Sequence, residues 1–205
     1  TTRTSTHAGR IFRLRPAPMD RHTFHRIFAR DEYRLNDLPP GALATVIDVG
    51  AHIGLFAVRV APLAKRVLSF EPVAANFEAL KQNVSHYPHV TPVCKAVAGK
   101  RGSATIYVSD NPSAHSMHPA EAHRRTGATS VETLSLADVF ADHAVDRCDL
   151  LKLDCEGAEY EILDAVPADL WPRIGRIAME FHPVEGGSAG WTGPALAKRL
   201  ESRGF

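Results

Sequence analysis

Hydrophobic residues along the chain form short apolar runs that alternate with segments of helical spacing. The runs rich in β-branched residues predict strands at Thr45–Val49, Arg66–Phe70, Val90–Ala98, Thr105–Ser109, Leu150–Leu153 and Ile174–Phe181. The spacing between these runs predicts helices at Gly54–Ala64, Val73–Ser85, Ser135–Ala141, Ala158–Ala165 and Gly193–Ser202. Because strands alternate with helices, we expect an α/β fold with a doubly wound, mainly parallel sheet and helices on both faces.

An N-terminal segment and two loops fall outside this alternation. Residues 1–35 form a predicted N-terminal arm or lid, with one short strand and helical spacing over Thr23–Leu35. The break "DLPPGA" separates this segment from the α/β domain, which we place at residues 36–205. The loops Ser109–Ala128 and His182–Gly193 follow strands, and therefore lie where α/β proteins bind ligands.

Composition narrows the class of protein. Of the 205 residues 44% are hydrophobic, which is enough for one well-buried domain. Lys and Arg number 24 against 23 for Asp and Glu, so bulk charge does not favour a nucleic-acid partner. Cys94, Cys148 and Cys155 have no paired spacing, which favours a reduced, cytoplasmic setting. No apolar run reaches membrane-spanning length, so we expect no membrane partner.

A glycine turn joins the first predicted strand to the first predicted helix, in "VIDVGAHIGLFAV" (Val46–Val58). A strand, a glycine turn and a helix in this order are typical of sites that hold phosphate groups. His52, however, stands where G-x-G-x-x-G has its middle glycine, the position at which the backbone approaches a pyrophosphate. The turn built on Gly50 and Gly54 therefore favours a ligand without a pyrophosphate, with His52 lying over that ligand.

The residues around this turn match the parts of one such ligand. Glu71 follows the second predicted strand, where a carboxylate can accept hydrogen bonds from ribose hydroxyls. Asp48 can fix the turn or meet an ammonium group, and the helix that begins near Gly54 offers N–H groups to a carboxylate. S-adenosylmethionine carries a ribose, an amino group and a carboxylate, so we expect it as the cofactor. A nicotinamide dinucleotide is the alternative that these residues leave open.

Four motifs together resemble a known family: "VIDVGAHIGLFAV", "VLSFEPVAANFEALKQNV", "LLKLDCEGAEYEIL" and "IAMEFHP". In this order and at these separations they resemble the FkbM-type family of S-adenosylmethionine-dependent methyltransferases, over roughly residues 24 to 182. The family commonly reads G-A-N-x-G where this chain has His52 in place of the asparagine. The resemblance implies a seven-stranded methyltransferase sheet and transfer of a methyl group, most often to an oxygen of a natural product or sugar.

The same resemblance implies further cofactor residues. Pro72 and Asn76 match the family's E-P-x-x-x-N, in which the acidic residue, here Glu71, is expected on the ribose. Ala96 and Val97, within "CKAVAG", match the region expected to border the adenine.

Polar side chains follow two later predicted strands. Asp154 and Glu156 come after Leu150–Leu153, and Glu180 and His182 end the next strand. Because the carboxyl ends of parallel strands meet at the ligand edge of a doubly wound sheet, we expect these side chains to face the methyl donor. His182, with an ordinary pKa of about 6.5, is the candidate base for the acceptor's proton. Asp154 or Glu156 would orient its imidazole or neutralise the surroundings of the sulfonium, which also places Asp154 at the cofactor.

Other roles stay open for the same residues. Glu156 could stabilise a helix N-terminus by about 0.3–1 kcal/mol, and His182 could cap the strand end without chemistry. Glu159 is expected on the surface of the first helical turn. Asp154, Glu156, Glu180 and His182 could also hold Mg²⁺, but they form no tight ligand motif, and we expect no metal.

We interpret the chain as a methyltransferase that acts on a small hydroxylated acceptor. A dinucleotide oxidoreductase and a non-catalytic ligand-binding or scaffold domain are the alternatives. The intact set of Asp48, Gly50, Gly54 and Glu71 argues against a scaffold. No platform of aromatic and basic residues stands out, so we expect no nucleic acid.

The chain stops at "ESRGF", where the family's closing antiparallel strand pair should begin. An open, apolar sheet edge promotes aggregation. We therefore expect the native polypeptide to continue for about two more strands of ordinary length, or another chain, such as a second copy in a homo-oligomer, to cover this edge.

Overall fold

The computed structural model describes residues 3–7, 10–109, 116–117, 125–182, 184 and 191–205. The strands are β1 (Arg3–His7), β2 (Arg10–Leu14), β3 (Leu43–Val49), β4 (Ala64–Phe70), β5 (Val90–Val93), β6 (Ala96–Val97), β7 (Gly102–Ser109), β8 (Arg125–Leu134), β9 (Leu150–Leu153) and β10 (Ile177–Met179). The helices are α1 (Pro18–Phe28), α2 (Leu55–Val60), α3 (Ala74–Val84), α4 (Leu136–Asp142), α5 (Glu159–Asp164) and α6 (Gly193–Glu201). Short 3₁₀ turns lie at Ala61–Leu63 and Trp171–Arg173.

The main sheet confirms the predicted fold class. Its strands run in the order β10-β9-β3-β4-β5, and every neighbouring pair is parallel. The strand order reverses between β3 and β9, which places a topological switch point at the carboxyl ends of these two strands. The described residues give this sheet five strands, and the seven strands implied by the resemblance are not seen.

Helices cover both faces of this sheet, as the sequence predicts. In β3, Val46 belongs to the core formed with α1, α2 and α3, whereas Ile47 belongs to the core formed with α4, α5 and α6. In β9, Leu150 and Leu151 divide between the same two cores. Since successive side chains of a strand point to opposite faces, a strand buried on both faces needs apolar residues at nearly every position. This requirement explains the continuous apolar runs in the sequence.

A second sheet corrects two predictions. Its strands run in the order β6-β8-β7, with β7 and β8 antiparallel. β8 begins inside the predicted loop Ser109–Ala128, and residues 126–130 are exposed, so the sequence shows no apolar run there. The predicted strand Val90–Ala98 is divided into β5 and β6 at the exposed Cys94. The predicted strand Ile174–Phe181 is also shorter, because β10 spans only Ile177–Met179.

The N-terminal segment packs into the same core as the α/β layers. Phe12, Leu14, Ile27 and Leu35 are all buried there. Phe12 also makes edge-to-face contacts with two aromatic rings of α1. The helix begins at Pro18, five residues before the predicted Thr23, because proline suits the first helical turn. Of this segment the sequence predicted one short strand, and the structure has the antiparallel pair β1 and β2.

Among the described residues, no helix has both the length and the apolar character needed to cross a membrane. The predicted loop His182–Gly193 lies mostly outside the described residues, and so do residues 110–115 and 118–124 of the other predicted loop.

Candidate active site

The glycine turn after β3 needs its glycines for space as well as for conformation. Gly50 has φ +74°, and a Cβ atom there would lie 1.8 Å from the Asp154 carbonyl oxygen. Gly54 has φ +83° and packs against Leu80 of α3. His52 adopts the left-handed region with φ 51°, which costs a non-glycine residue free energy. The turn therefore packs closely against α3 and against the segment after β9, and this packing leaves no room for a side chain at Gly50 or Gly54.

Glu71, at the end of β4, holds this turn through its carboxylate. The His52 N–H donates to Oε2 at 2.8 Å, and the Val73 N–H donates to Oε1 at 2.9 Å. The Asn76 amide also donates to Oε1, at 3.4 Å. Burial raises the pKa of Glu71, while these hydrogen bonds act in the opposite direction. Oε1 accepts two of these hydrogen bonds and Oε2 accepts one, so Oε2 keeps a lone pair for a ligand's hydroxyl.

A cavity beside the turn gathers most of the predicted cofactor residues. It encloses about 590 Å³ of empty space, part of it continuous with the solvent. The predicted residues among its lining are Gly50, His52, Glu71, Pro72, Asn76, Ala96, Val97, Asp154 and Glu156. Apolar side chains, including Ile106 and Met117, line it as well. We call this space the donor cavity, after the methyl donor that the sequence predicts as its ligand.

Two of the predicted cofactor residues lie outside the lining of the donor cavity. Gly54 starts α2 and packs on Leu80. Asp48 is fully buried, and the Lys152 ammonium lies 3.3 Å from its Oδ1. The ammonium beside Asp48 is therefore that of a protein side chain, and Lys152 in turn donates to the Gly50 carbonyl oxygen in the turn.

Lys152, in the middle of β9, is a buried cation that the sequence analysis did not single out. Its Nζ donates to the carbonyl oxygens of Val49 at 3.2 Å and Gly50 at 2.7 Å. Burial opposes its charge, but Asp48, Tyr33 and Asp154 raise the pKa of Lys152 above its ordinary value. A lysine inside the apolar run "LLKLD" was the sequence signal for it, since lysine is almost never fully buried without a partner.

A second cavity adjoins the first and lies between α1 and the carboxyl edge of the sheet. It encloses about 910 Å³ of empty space, part of it open to solvent. Residues of α1 that line it include Met19, His22, Thr23 and Arg26, and residues that follow β9 and β10 include Asp154, Glu156, Glu180 and His182. Gly50, His52, Asp154 and Glu156 line both cavities. We call this second space the acceptor cavity, after the hydroxylated substrate that the sequence predicts, and we call the four shared residues the junction.

His182 is held by carboxylates. Its Nδ1–H donates to Glu159 Oε1 at 3.2 Å, and its Nε2 lies 3.8 Å from Glu156 Oε2. Burial works against the charge of His182, but Glu159 and Glu156 raise its pKa to about 9. The imidazole is therefore already protonated near neutrality, which conflicts with the predicted role of His182 as the resting base.

Glu159 differs from the sequence prediction in its surroundings, and Glu156 beside it is also partly buried. Glu159 is fully buried and accepts hydrogen bonds from the N–H groups of Cys155 at 2.8 Å and Gly157 at 2.9 Å. The prediction of a surface Glu159 is therefore wrong, because the turn before α5 folds its backbone donors around this carboxylate. Glu156 has φ 54°, and burial raises its pKa to about 7 although His182 acts in the opposite direction.

A divalent cation has one candidate position among the described residues. One ligand atom each from Asp154, Glu180 and His182 lies within 4.8 Å of the others. Glu180, however, is already paired with the Arg26 guanidinium, and Lys152 Nζ lies 3.8 Å from Asp154. A cation at this position would compete with Arg26 and Lys152 for these carboxylates.

The comparison with family models identifies the chain. The model described as the methyltransferase FkbM domain matches residues 48–205, a range that contains the donor cavity and the residues after β9 and β10. The chain belongs to the FkbM methyltransferase family. It is therefore a methyltransferase, and the resemblance inferred from its motifs is confirmed.

Named relatives agree with the family. Methyltransferase sdnD from Sordaria araneosa is 28% identical over 216 residues, which cover 89% of this chain and 80% of the relative. The 31-O-demethyl-FK506 methyltransferase FkbM from Streptomyces tacrolimicus is 28% identical over 181 residues, covering 73% of this chain and 69% of the relative.

A solved structure supports the fold. The crystal structure of methyltransferase FkbM from Methylobacillus flagellatus KT has a TM-score of 0.56 at 15% identity, and the match covers 91% of this chain and 44% of that one. At this identity the likeness concerns the fold alone.

Proposed function

We propose that this methyltransferase transfers the methyl group of S-adenosylmethionine to a hydroxyl of a small acceptor. The observation that carries the proposal is the junction between the two cavities. Gly50, His52, Asp154 and Glu156 line both, so a donor in one cavity and an acceptor in the other would meet there. Methyl transfer is an in-line displacement, and a fixed meeting point for the two reactants contributes most of what an enzyme must supply.

The residues of the donor cavity fit S-adenosylmethionine by their chemistry. The Glu71 carboxylate can accept hydrogen bonds from ribose hydroxyls, and Ala96 and Val97 offer an apolar wall to a purine. The Asp154 carboxylate at the junction complements a sulfonium. When bound, this donor would supply an electrophilic methyl group that needs no metal or redox partner.

Relatives support an oxygen as the methyl acceptor. The relative from Streptomyces tacrolimicus is named as a 31-O-demethyl-FK506 methyltransferase, so its name describes an acceptor that lacks an O-methyl group. The acceptor cavity of this chain presents carboxylates and histidines, which can hydrogen-bond to hydroxyl groups. We therefore propose a hydroxylated natural product or sugar-like molecule as the acceptor class.

The side chains at the junction favour Glu156 over His182 as the proton acceptor. His182 already carries a proton near neutrality, whereas the Glu156 carboxyl has a pKa of about 7 and loses its proton in that range. Glu156 also lines both cavities, and His182 lines only the acceptor cavity. In this mechanism Glu156 accepts the hydroxyl proton, and the His182 imidazolium holds the Glu156 carboxylate in place. A carboxylate with a pKa near the working pH suits this role.

Two measurements test the proposal. Calorimetry should show that the protein binds S-adenosylhomocysteine, the spent donor, and does not bind NAD⁺. Incubation with methyl-labelled S-adenosylmethionine and a panel of hydroxylated acceptors, each matched with its O-methylated form, should label only the free hydroxyl compounds. Tight binding of NAD⁺ without binding of S-adenosylhomocysteine would contradict the proposal.

A further inference from the structure

Arg15 belongs to the N-terminal segment. Its guanidinium contacts Asp20 of the same segment and two residues that line the donor cavity. Its Nε and Nη2 donate to the two oxygens of Asp20 at 3.1 Å and 2.9 Å. Its Nη1 donates to Asn76 Oδ1 at 2.6 Å, and Nη2 also donates to His52 Nε2. Asp20 itself is fully buried in α1. One side chain of the N-terminal segment therefore contacts two residues that line the donor cavity.

These contacts decide how Asn76 and His52 are oriented. Because Asn76 Oδ1 accepts from Arg15, its amide nitrogen is turned toward Glu71, and it donates to Glu71 Oε1 at 3.4 Å. A guanidinium can only donate, so His52 Nε2 must accept and the ring proton lies on Nδ1. The His52 backbone N–H meanwhile donates to the other oxygen of Glu71. Both oxygens of Glu71 are thus linked to Arg15 through one intervening residue.

We infer that Arg15 is a positioning residue of the donor site, which orients the Glu71 carboxylate toward the ribose through Asn76 and His52. The inference rests on the proposed function and extends the donor site to the N-terminal segment. A guanidinium is needed because its donors form a rigid planar fork, whereas a lysine offers one nitrogen to the same partners.

The positioning role of Arg15 can be followed through the pKa of His52, which depends on the charged groups around it. Burial and, after it, the Arg15 guanidinium lower the pKa of His52 to about 3. Asp20 Oδ1 lies 3.9 Å from His52 Nε2, and more distant charges are Lys152, which lowers this pKa, and Asp154, which raises it. Without the guanidinium, the remaining carboxylates would favour the protonated imidazole, so the pKa of His52 should rise.

The test compares Arg15→Gln and Arg15→Lys with the control Arg13→Gln. The Arg13 guanidinium contacts the exposed Gln82, so the control removes a nearby arginine without touching the donor cavity. S-adenosylhomocysteine affinity is measured by calorimetry between pH 5 and pH 8. We expect both Arg15 variants to bind about 10- to 100-fold more weakly at pH 7, the effect of losing charge-assisted hydrogen bonds. The affinity of Arg15→Gln relative to the parent should also change as the pH falls, because His52 then gains a proton that it does not gain in the parent, while the affinity of Arg13→Gln relative to the parent should stay constant.

The outcomes separate the inference from the proposed function. A parent protein that binds no S-adenosylhomocysteine overturns the proposed function and the inference with it. A parent that binds, with a folded Arg15→Gln variant that binds within about twofold of it at every pH, overturns the inference alone. Should Arg15→Gln not fold, Asn76→Asp replaces it, since this variant keeps the acceptor for Arg15 and places an oxygen against Glu71. Unchanged donor affinity in Asn76→Asp would equally overturn the inference.

Discussion

At the scale of single residues, the site depends on side chains whose orientation is fixed by hydrogen bonds to their neighbours. Glu71 illustrates this, because its carboxylate both receives the N–H groups of His52 and Val73 and lines the donor cavity. Its position after β4 could be predicted from the sequence, since the acidic residue at the end of the second strand is a local pattern. Its backbone partners could not, because they depend on the left-handed turn at His52.

Replacement of this carboxylate gives the first prediction. Glu71→Gln should weaken S-adenosylhomocysteine binding by about 1–3 kcal/mol, because an amide replaces the charge-assisted acceptor for ribose hydroxyls. Isothermal titration calorimetry measures the change. Glu78→Gln is the matched control, since Glu78 is exposed on α3 and pairs only with Lys81 in the described contacts. Equal affinities in both variants would remove Glu71 from the donor site.

A second prediction at this scale concerns Gly50. Gly50→Ala would add a methyl group 1.8 Å from the Asp154 carbonyl oxygen at a φ of +74°. Gly41→Ala is a close control, because Gly41 has φ +71° and nothing within 4 Å of the added atom. We expect a loss of about 1 kcal/mol of unfolding free energy at Gly41, the cost of the left-handed conformation, and more than about 3 kcal/mol at Gly50. Urea denaturation measures both, and similar losses would show that the close approach to Asp154 is relaxed at little cost.

At the scale of elements, the N-terminal segment is attached to the α/β layers by specific polar contacts. Asn83 of α3 is buried, accepts from the Arg13 N–H at 2.7 Å and donates to the Ile53 carbonyl at 2.8 Å. One amide therefore joins β2, α3 and the glycine turn. The sequence predicted α3 well, but it carried no sign that an asparagine on that helix meets a residue 70 positions away.

This attachment gives the third prediction. Asn83→Ala should lower the free energy of unfolding by about 1–3 kcal/mol, because the backbone N–H of Arg13 and the carbonyl of the buried Ile53 lose their partner. Gln82→Ala, which removes only an exposed contact with Arg13, should change it by less than about 0.5 kcal/mol. Limited proteolysis should cut the N-terminal segment of Asn83→Ala faster than that of Gln82→Ala. Equal cutting rates would show that the apolar contacts of Phe12 and Leu14 hold this segment by themselves.

At the scale of the whole molecule, the two cavities meet where the parallel sheet reverses its strand order. The carboxyl ends of β3 and β9 lie side by side there, and β10 brings its own polar residues to the same edge. The helix α1 closes the acceptor cavity from the other side. Charges from distant parts of the chain are therefore concentrated at one place, and they alter one another's protonation.

The pH dependence of activity is the fourth prediction. The active form needs Glu156 without its proton and His182 with its proton, so kcat/KM should rise with pH through about 7 and fall through about 9. The two inflections belong to the coupled pair, as in any pair of interacting groups. Glu156→Gln should abolish the rise and lower kcat by about 10²–10⁴. The control is His86→Gln, an exposed histidine after α3, which should keep the parent profile.

Two results would contradict this assignment of roles. A Glu156→Gln variant with the parent's turnover and pH profile would exclude Glu156 as the proton acceptor. An inflection that stays near 7 in Glu156→Gln but disappears in His182→Gln would restore the imidazole to that role.

The sequence by itself determined the order of the strands and helices that build the main sheet and its covering layers, because burial on both faces requires apolar runs and the helices require their own spacing. It also determined that Asp154, Glu156, Glu180 and His182 would share one edge, since the carboxyl ends of parallel strands must meet there. Only the tertiary structure decided the partners of these groups. Lys152 is charged because Asp48 lies beside it, and His182 is protonated because Glu159 is buried against it. Such pairings depend on how deeply each side chain is buried and on the distance in space between residues far apart in the chain. A local sequence pattern predicts neither quantity.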